Sequence, residues 1–166
     1  MARIRPETDA IALLKDEHKK LKVLLDQFET AETQEEMGRI IDQALDELKI
    51  HGEIEERLFY PALRNIVGEQ LLYEADKVHH VMRMLIAELD SLDKRDGSGR
   101  IAMFTALAEI VKQHITEGEG ELLPTARRAD IDFSALGAQL MERRNELLES
   151  GVPEDTEHKI RKSMNV

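Results

Sequence analysis

Four long stretches of the sequence carry apolar residues at every third or fourth position, and only short breaks separate them. In residues 9–30, for example, Leu14, Leu21 and Phe28 fall on one side of a helix, while lysine and glutamate fill the other sides. This periodicity is that of an amphipathic helix. Because four such helices with short links bury their apolar faces best against one another, the sequence predicts an all-α, up-and-down antiparallel four-helix bundle.

Local signals place the ends of the helices. Thr33 and Glu36 have the spacing of a capping box for the second helix, and Asp132 is expected to cap a short fifth helix. Pro61 is expected to kink or end the second helix, and residues 96–99 are predicted to form a loop. The predicted helices span residues 9–30, 34–65, 69–94, 100–128 and 133–149, with residues 1–150 as the bundle domain and 151–166 as a polar C-terminal tail.

Composition excludes several classes of protein. The chain has no cysteine, so disulfides and thiolate-bound metals are excluded. Its net charge of -11 disfavours nucleic-acid binding, because phosphate backbones need a basic face. No run of residues approaches membrane-spanning length, and the N-terminal segment lacks the apolar stretch of a signal peptide. We therefore expect a cytoplasmic protein, a monomer or weak dimer, with neither nucleic-acid nor membrane partners.

The histidines form a repeated pattern. His18, His51, His79 and His114 place one histidine on each long predicted helix. A proline follows ten residues after His51 and again ten residues after His114, each time across a carboxylate-rich stretch. The first two helices thus resemble a duplicate of the next two. Histidines beside solvated glutamates on helix surfaces are the ordinary alternative, and the repetition disfavours it.

The spacing of His51 and Glu55 suggests metal chemistry. Four residues apart, they share one face of the second helix. Such a pair can supply an imidazole to one metal ion and a carboxylate that bridges to a second. Imidazole and carboxylate ligands in a bundle core favour iron over zinc or manganese. His80 points about 100° away from its neighbour and is interpreted as a surface or supporting residue, and His158 in the tail is not expected to be a ligand.

These motifs resemble those of the hemerythrin-like, or HHE cation-binding, family. The matching segments are residues 16–18, 51–61, 74–79, 114–124 and 136–148. The resemblance implies a bundle that holds two non-haem iron ions, and it implies metal ligands at His18, His51, Glu55, His79 and His114.

The resemblance also implies a second bridging carboxylate on the fourth helix, and here the sequence departs from the family. Gly118 occupies the position of the usual glutamate. Hemerythrins proper use a carboxylate five residues after the histidine, which favours Glu119, whereas ideal helix geometry favours Glu117, three residues after it. Binding through Glu119 would require a widened turn such as a π-bulge, which Gly118 and Gly120 would make easier. Glu119 is the first choice and Glu117 the second, and a site that lacks this bridge and holds water in its place is the remaining alternative.

The third helix departs as well. Oxygen-carrying hemerythrins have an additional histidine where this chain has Ala75. The iron on that side would then have room for solvent or for another ligand, such as Tyr60 or Tyr73, and reversible oxygen storage is disfavoured.

Three functions remain in competition. The first is a di-iron protein that binds or reduces dioxygen, nitric oxide or peroxide in sensing, stress response or iron handling, with enzymatic turnover and simple binding equally compatible with the residues. The second is an iron-binding regulatory or interaction module without turnover. The third is a bundle that binds no metal, in which the histidines would not converge.

Overall fold

Residues 9–153 are described by a computed structural model. Within these residues the chain is all-helical and has no strand, so the predicted fold class is confirmed. The helices are α1 (Ala10–Thr30), α2 (Gln34–Ile54), α3 (Tyr60–Leu63), α4 (Glu69–Ser91), α5 (Gly97–Glu117), α6 (Leu123–Arg127) and α7 (Phe133–Ser150), with π-helical turns π1 (Glu55–Phe59) and π2 (Gly118–Leu122).

The long helices α1, α2, α4 and α5 form the bundle. The helix α1 packs on α2, α4 packs on α5, and α7 lies against both α1 and α2. Among the helices of residues 9–153, none combines the length and apolar character needed to cross a bilayer.

The apolar core consists of two clusters, one toward each end of the bundle. Along α1, Leu14 belongs to the first cluster and Leu21 to the second. Along α4, Leu72 belongs to the first and Met82 to the second. The histidines of these helices fall between the two clusters, so the packing of both core halves fixes the middle of the bundle.

Each π turn joins two helical segments without a break. In π1 the Tyr60 amide donates to the carbonyl of Glu55, and in π2 the Leu123 amide donates to the carbonyl of Gly118, five residues earlier in both cases. Pro61 was expected to kink or end the second helix, and the chain instead stays helical through Pro61 to Leu63, so the helix does not end there. Pro61 cannot donate a hydrogen bond, and it sits at the start of the segment that follows the widened turn, where its missing N–H costs little.

The predicted loop at residues 96–99 is wrong, because α5 begins at Gly97. The side chain of Asp96 accepts a hydrogen bond from the Gly99 amide at 2.9 Å and caps the helix. A Cβ at position 99 would lie 2.3 Å from the Asp96 carboxylate, so the close approach of this cap requires glycine. Gly97 and Gly99, on which the predicted loop rested, instead belong to the first turn of α5.

Other helix ends agree with the sequence or shift slightly. The Thr33 side chain accepts from the Glu36 amide, but the Glu36 carboxylate accepts from the Glu32 amide, so only half of the capping box forms. The α4 helix ends at Ser91, three residues earlier than predicted. Asp132 caps α7 as expected. Residues 1–8 and 154–166, which include most of the predicted tail and His158, lie outside the described residues.

Candidate metal centre

Four histidines meet in the middle of the bundle, one from each long helix. The sequence analysis selected the same four: His18 (α1), His51 (α2), His79 (α4) and His114 (α5). None is more than 6% exposed. Ring centroids lie 5.0 Å apart for His18 and His51, and 4.8 Å apart for His79 and His114. Surface histidines would not converge in this way.

Glu55 lies at the centre of these rings. It is 2% exposed and is the first residue of π1. Its Oε1 atom contacts Nε2 of His51 and lies 3.1 Å from Nε2 of His114 and 3.6 Å from Nε2 of His79. One carboxylate oxygen thus faces nitrogen atoms from three different helices.

The donor atoms are close enough to share a cation. Nitrogen or oxygen atoms of His18, His51, Glu55 and His114 all lie within 4.8 Å of one another. Neither ring nitrogen of His18 has a hydrogen-bond partner among the described residues, although the ring is buried. A buried polar atom without a partner is costly, and a cation would satisfy it. These donors therefore fit a metal ion, and the absence of thiolates favours a metal that accepts nitrogen and oxygen ligands.

His79 lies beside this group of four rather than within it. Its Nε2 atom is 3.0 Å from the hydroxyl of Tyr60, which is fully buried. Its Nδ1 atom is 3.7 Å from the carboxylate of Glu56. Tyr73, the other tyrosine considered from the sequence, is 58% exposed on α4. Of the two tyrosines, only Tyr60 contacts the site.

Burial and neighbouring charges shift the pKa values of the side chains in the site. Burial lowers the pKa of His51, but the carboxylates of Glu55 and Glu17 outweigh burial and raise that pKa to about 10. Burial, with the charge of His51 beside it, lowers the pKa of His18 to about 4. Burial would raise the pKa of Glu55, yet the charges of His51 and His114 hold it well below its ordinary value. Glu55 therefore stays ionised and attracts positive charge, whether from a proton or from a cation.

The two candidate carboxylates of the fourth helix point in different directions. Glu119 lies in π2 and is half-buried, with Oε1 3.4 Å from Nδ1 of His18 and Oε2 3.3 Å from the ammonium group of Lys22. Glu117 is exposed and accepts a hydrogen bond from Gln113 at 2.8 Å. The widened turn that the sequence analysis required for Glu119 is present as π2. Of the two residues, Glu119 lies 3.4 Å from a histidine nitrogen, whereas Glu117 lines a small cavity that adjoins the cluster.

A small cavity adjoins the cluster at the two positions, 75 and 118, where the sequence departs from the patterns that its resemblance implies. It has a volume of about 110 Å³, and Ala75 and Gly118 both line it together with His18, Glu55 and Tyr60. A Cβ at Gly118 would lie 3.8 Å from the His18 ring, so a side chain there would point toward the cluster. The small residues at 75 and 118 therefore leave open space next to the histidines.

A larger cleft of about 660 Å³ lies between α2 and α4. Its lining includes His51 and His79, and the chain segment that follows α7 borders it at Val152.

Glu17 and Arg144 support the cluster, although neither was expected from the sequence to have a role in it. Glu17 is 3% exposed and accepts hydrogen bonds from Nδ1 of His51 at 2.6 Å and from Arg144 at 2.8 Å. Glu17 falls between Leu13 and Leu21 in the apolar stripe of α1. A carboxylate inside an apolar stripe is the signal that could have indicated a buried, paired charge.

The fold and the cluster together define a helical bundle with a buried site for a cation. A sequence model of the hemerythrin HHE cation-binding domain matches residues 9–126, which is more than half of the chain. The chain therefore belongs to the hemerythrin HHE cation-binding domain family.

A solved structure has the same fold. It is the crystal structure of a hemerythrin HHE cation-binding domain-containing protein from Mycobacterium kansasii, with a TM-score of 0.70 and 23% sequence identity. The alignment covers 96% of this chain and 100% of that one. No curated protein sequence matches the chain.

Proposed function

We propose that the chain binds two non-haem iron ions between its helices and that it binds or reduces a small oxidant there. The family binds metal cations. A set of buried imidazoles and carboxylates in a bundle core is the ligand type of di-iron proteins. The proposed ligands are His18, His51, Glu55, His79, His114 and Glu119, with Glu117 as the less favoured second carboxylate.

Glu55 is the proposed bridge between the two ions. Its carboxylate faces His51, His114 and His79 at once and keeps its negative charge in a buried site. The same negative charge would offset part of the cost of burying two cations. Glu119 is the proposed second carboxylate, because its Oε1 atom lies 3.4 Å from Nδ1 of His18.

The cavity beside His18 is the observation that carries the proposal of a small ligand. One water molecule occupies about 30 Å³ in the liquid, so the cavity of about 110 Å³ has room for a diatomic molecule or peroxide but not for a large substrate. Leu71, Val78 and Leu122 line the cavity together with the carboxylates of Glu74, Glu117 and Glu121, so the lining disfavours anions. Iron bound at the cluster would supply the electrons and open coordination positions that side chains lack.

Tyr60 would provide the polar contact for a molecule in this cavity. Burial, with the Glu55 carboxylate nearby, raises the pKa of Tyr60 well above its ordinary value, so the phenol keeps its proton. Among the described residues that line the cavity, Tyr60 is the one with a hydroxyl group. Its O–H group is therefore the proposed hydrogen-bond donor to a bound oxidant.

The reaction with peroxide tests this proposal. The protein is loaded with ferrous iron under anaerobic conditions, hydrogen peroxide or nitric oxide is added, and the near-ultraviolet and visible absorption is followed. We expect new charge-transfer bands and consumption of the added oxidant. Iron that binds firmly but leaves both the spectrum and the peroxide unchanged would contradict oxidant chemistry and favour a regulatory, iron-binding module instead.

A further inference from the structure

Hydrogen-bonded side chains connect the site to α7. This helix lies outside residues 9–126, which the family domain matches. The connection begins at Nδ1 of His51, which donates to Oε2 of Glu17 at 2.6 Å. The other oxygen of Glu17, Oε1, accepts from Nη1 of Arg144 at 2.8 Å. Both oxygens of this buried carboxylate therefore have defined partners.

Arg144 also contacts α2. Its second terminal nitrogen, Nη2, donates to both oxygens of Glu47 at 3.2 and 3.3 Å. Glu47 precedes His51 by one helical turn. Arg144, only 8% exposed, thus links α1 and α2 from α7 through its guanidinium group, on the side of His51 away from Glu55.

This arrangement restricts the orientation of the His51 ring. Because Nδ1 is hydrogen-bonded to Glu17, Nε2 must face Glu55 and His114. The Glu17 carboxylate can orient the His51 ring only if the carboxylate is itself fixed. The planar guanidinium group of Arg144 donates to Glu17 and Glu47 in one fixed geometry. A lysine ammonium group offers a single point of charge and no such fork.

We propose that Arg144 is a positioning residue for the metal centre, which acts through Glu17 to orient His51. The helix α7 would then influence the metal affinity of a site to which it contributes no ligand. This inference rests on the proposed function, because it requires that His51 is a ligand.

Neighbouring arginines provide a matched pair of variants. Arg144→Met removes the fork but keeps most of the side-chain length. Arg143→Met is the control, because Arg143 is 33% exposed and pairs with Glu53 and Glu146 rather than with Glu17. The dissociation constant for ferrous iron alone is measured anaerobically, and thermal unfolding is measured on the same samples. We expect Arg144→Met to weaken binding about tenfold, as loss of a residue that orients a metal ligand does, and Arg143→Met to leave it unchanged.

A double-mutant cycle separates positioning from general stability. If Arg144 acts through Glu17, then Arg144→Met should have little further effect in a Glu17→Gln background. If Arg144 and Glu17 affect iron binding independently, the two losses in affinity should multiply. If Arg144 only stabilises the fold, the melting temperature should fall while the affinity stays normal. Arg144→Lys is a second variant that keeps the buried positive charge should the methionine variant not fold, and we expect it to bind iron more weakly than wild type.

The outcomes separate a failure of the positioning role of Arg144 from a failure of the proposed iron binding. Weakened binding in Arg144→Met with a non-additive cycle supports the positioning role. Normal binding in both Arg144 variants, or multiplied losses in the cycle, overturns this inference and leaves the proposed function intact. No binding of iron by the wild type overturns the proposed function and this inference with it.

Discussion

Two small residues, Ala75 and Gly118, determine how much open space adjoins the buried histidines. Both line the cavity beside His18 and Glu55. They come from different helices, α4 and π2, so the space depends on both positions together. At this scale the open space beside the histidines follows from the short side chains at these two positions.

Filling the cavity should therefore slow access without removing iron. We expect Ala75→Leu to reduce the rate of reaction with peroxide or nitric oxide about tenfold or more, because three added carbon atoms occupy much of the small space. Iron content should stay at the wild-type level, since Ala75 carries no ligand atom. Stopped-flow absorption of the iron-loaded protein measures the rate.

Ala106→Leu is the control, because Ala106 is exposed on α5. It should react at the wild-type rate. An Ala75→Leu protein that holds iron and also reacts at that rate would show that the cavity is not the entry point.

The residues of the site differ in how readily the sequence reveals them. The histidines and Glu55 could be selected because helical periodicity brings positions three or four apart onto one face. Glu17 and Arg144 could not be paired, since 127 positions separate them and only the packing of α7 brings them together. Glu119 could be ranked before Glu117 only through the resemblance, because the geometry depends on whether the turn at Gly118 is α-helical or π-helical.

At the scale of the helices, local hydrogen bonds decide where each element begins and ends. Asp9 caps α1, accepting from the Ala12 amide at 2.8 Å, and also pairs through both oxygens with Arg127 of α6. Asp96 similarly caps α5, which is why an apparent loop at glycine-rich residues became helix. Neither π turn, before Pro61 or before Pro124, has a side-chain cap, and the sequence suggested a widened turn only for the second, as a condition for binding through Glu119.

The Asp9–Arg127 pair should make a pH-dependent contribution to the stability of α1. The hydrogen bonds from Arg127 lower the pKa of Asp9 below the ordinary 3.8, outweighing the opposing effect of burial. This stabilisation is therefore present above pH 3.8 and is lost as the pH falls through the lower, folded-state pKa. We expect Asp9→Asn, which still caps the helix, to cost about 0.5 kcal/mol near neutral pH, and to cost progressively less as Asp9 becomes protonated.

Thermal unfolding of the two proteins across this pH range measures the difference. Asp16→Asn, an exposed position of α1, should match the wild type throughout. A constant difference between wild type and Asp9→Asn at every pH would contradict the ion-pair account.

At the scale of the whole molecule, the two apolar clusters hold the site between them. Residues of α1, α2, α4 and α5 contribute to the second cluster, and α7 contributes to the first. The bundle could be predicted because its apolar stripes are long and regular. The packing of α7 against α1 and α2 could not be predicted. The apolar residues of α7 show which of its faces is buried, but they do not show which helices cover that face. The packed clusters can therefore hold the donor atoms in place before a metal arrives.

The iron content of the purified and anaerobically reconstituted protein tests the central claim most directly. We expect about two iron ions per chain, and a rise in the melting temperature on loading, because a ligand that binds only the folded state stabilises it. Glu55→Ala should lose most of this iron, whereas His80→Ala, which replaces an exposed neighbour of the cluster, should keep it. Failure of the folded wild-type protein to take up iron would contradict the account.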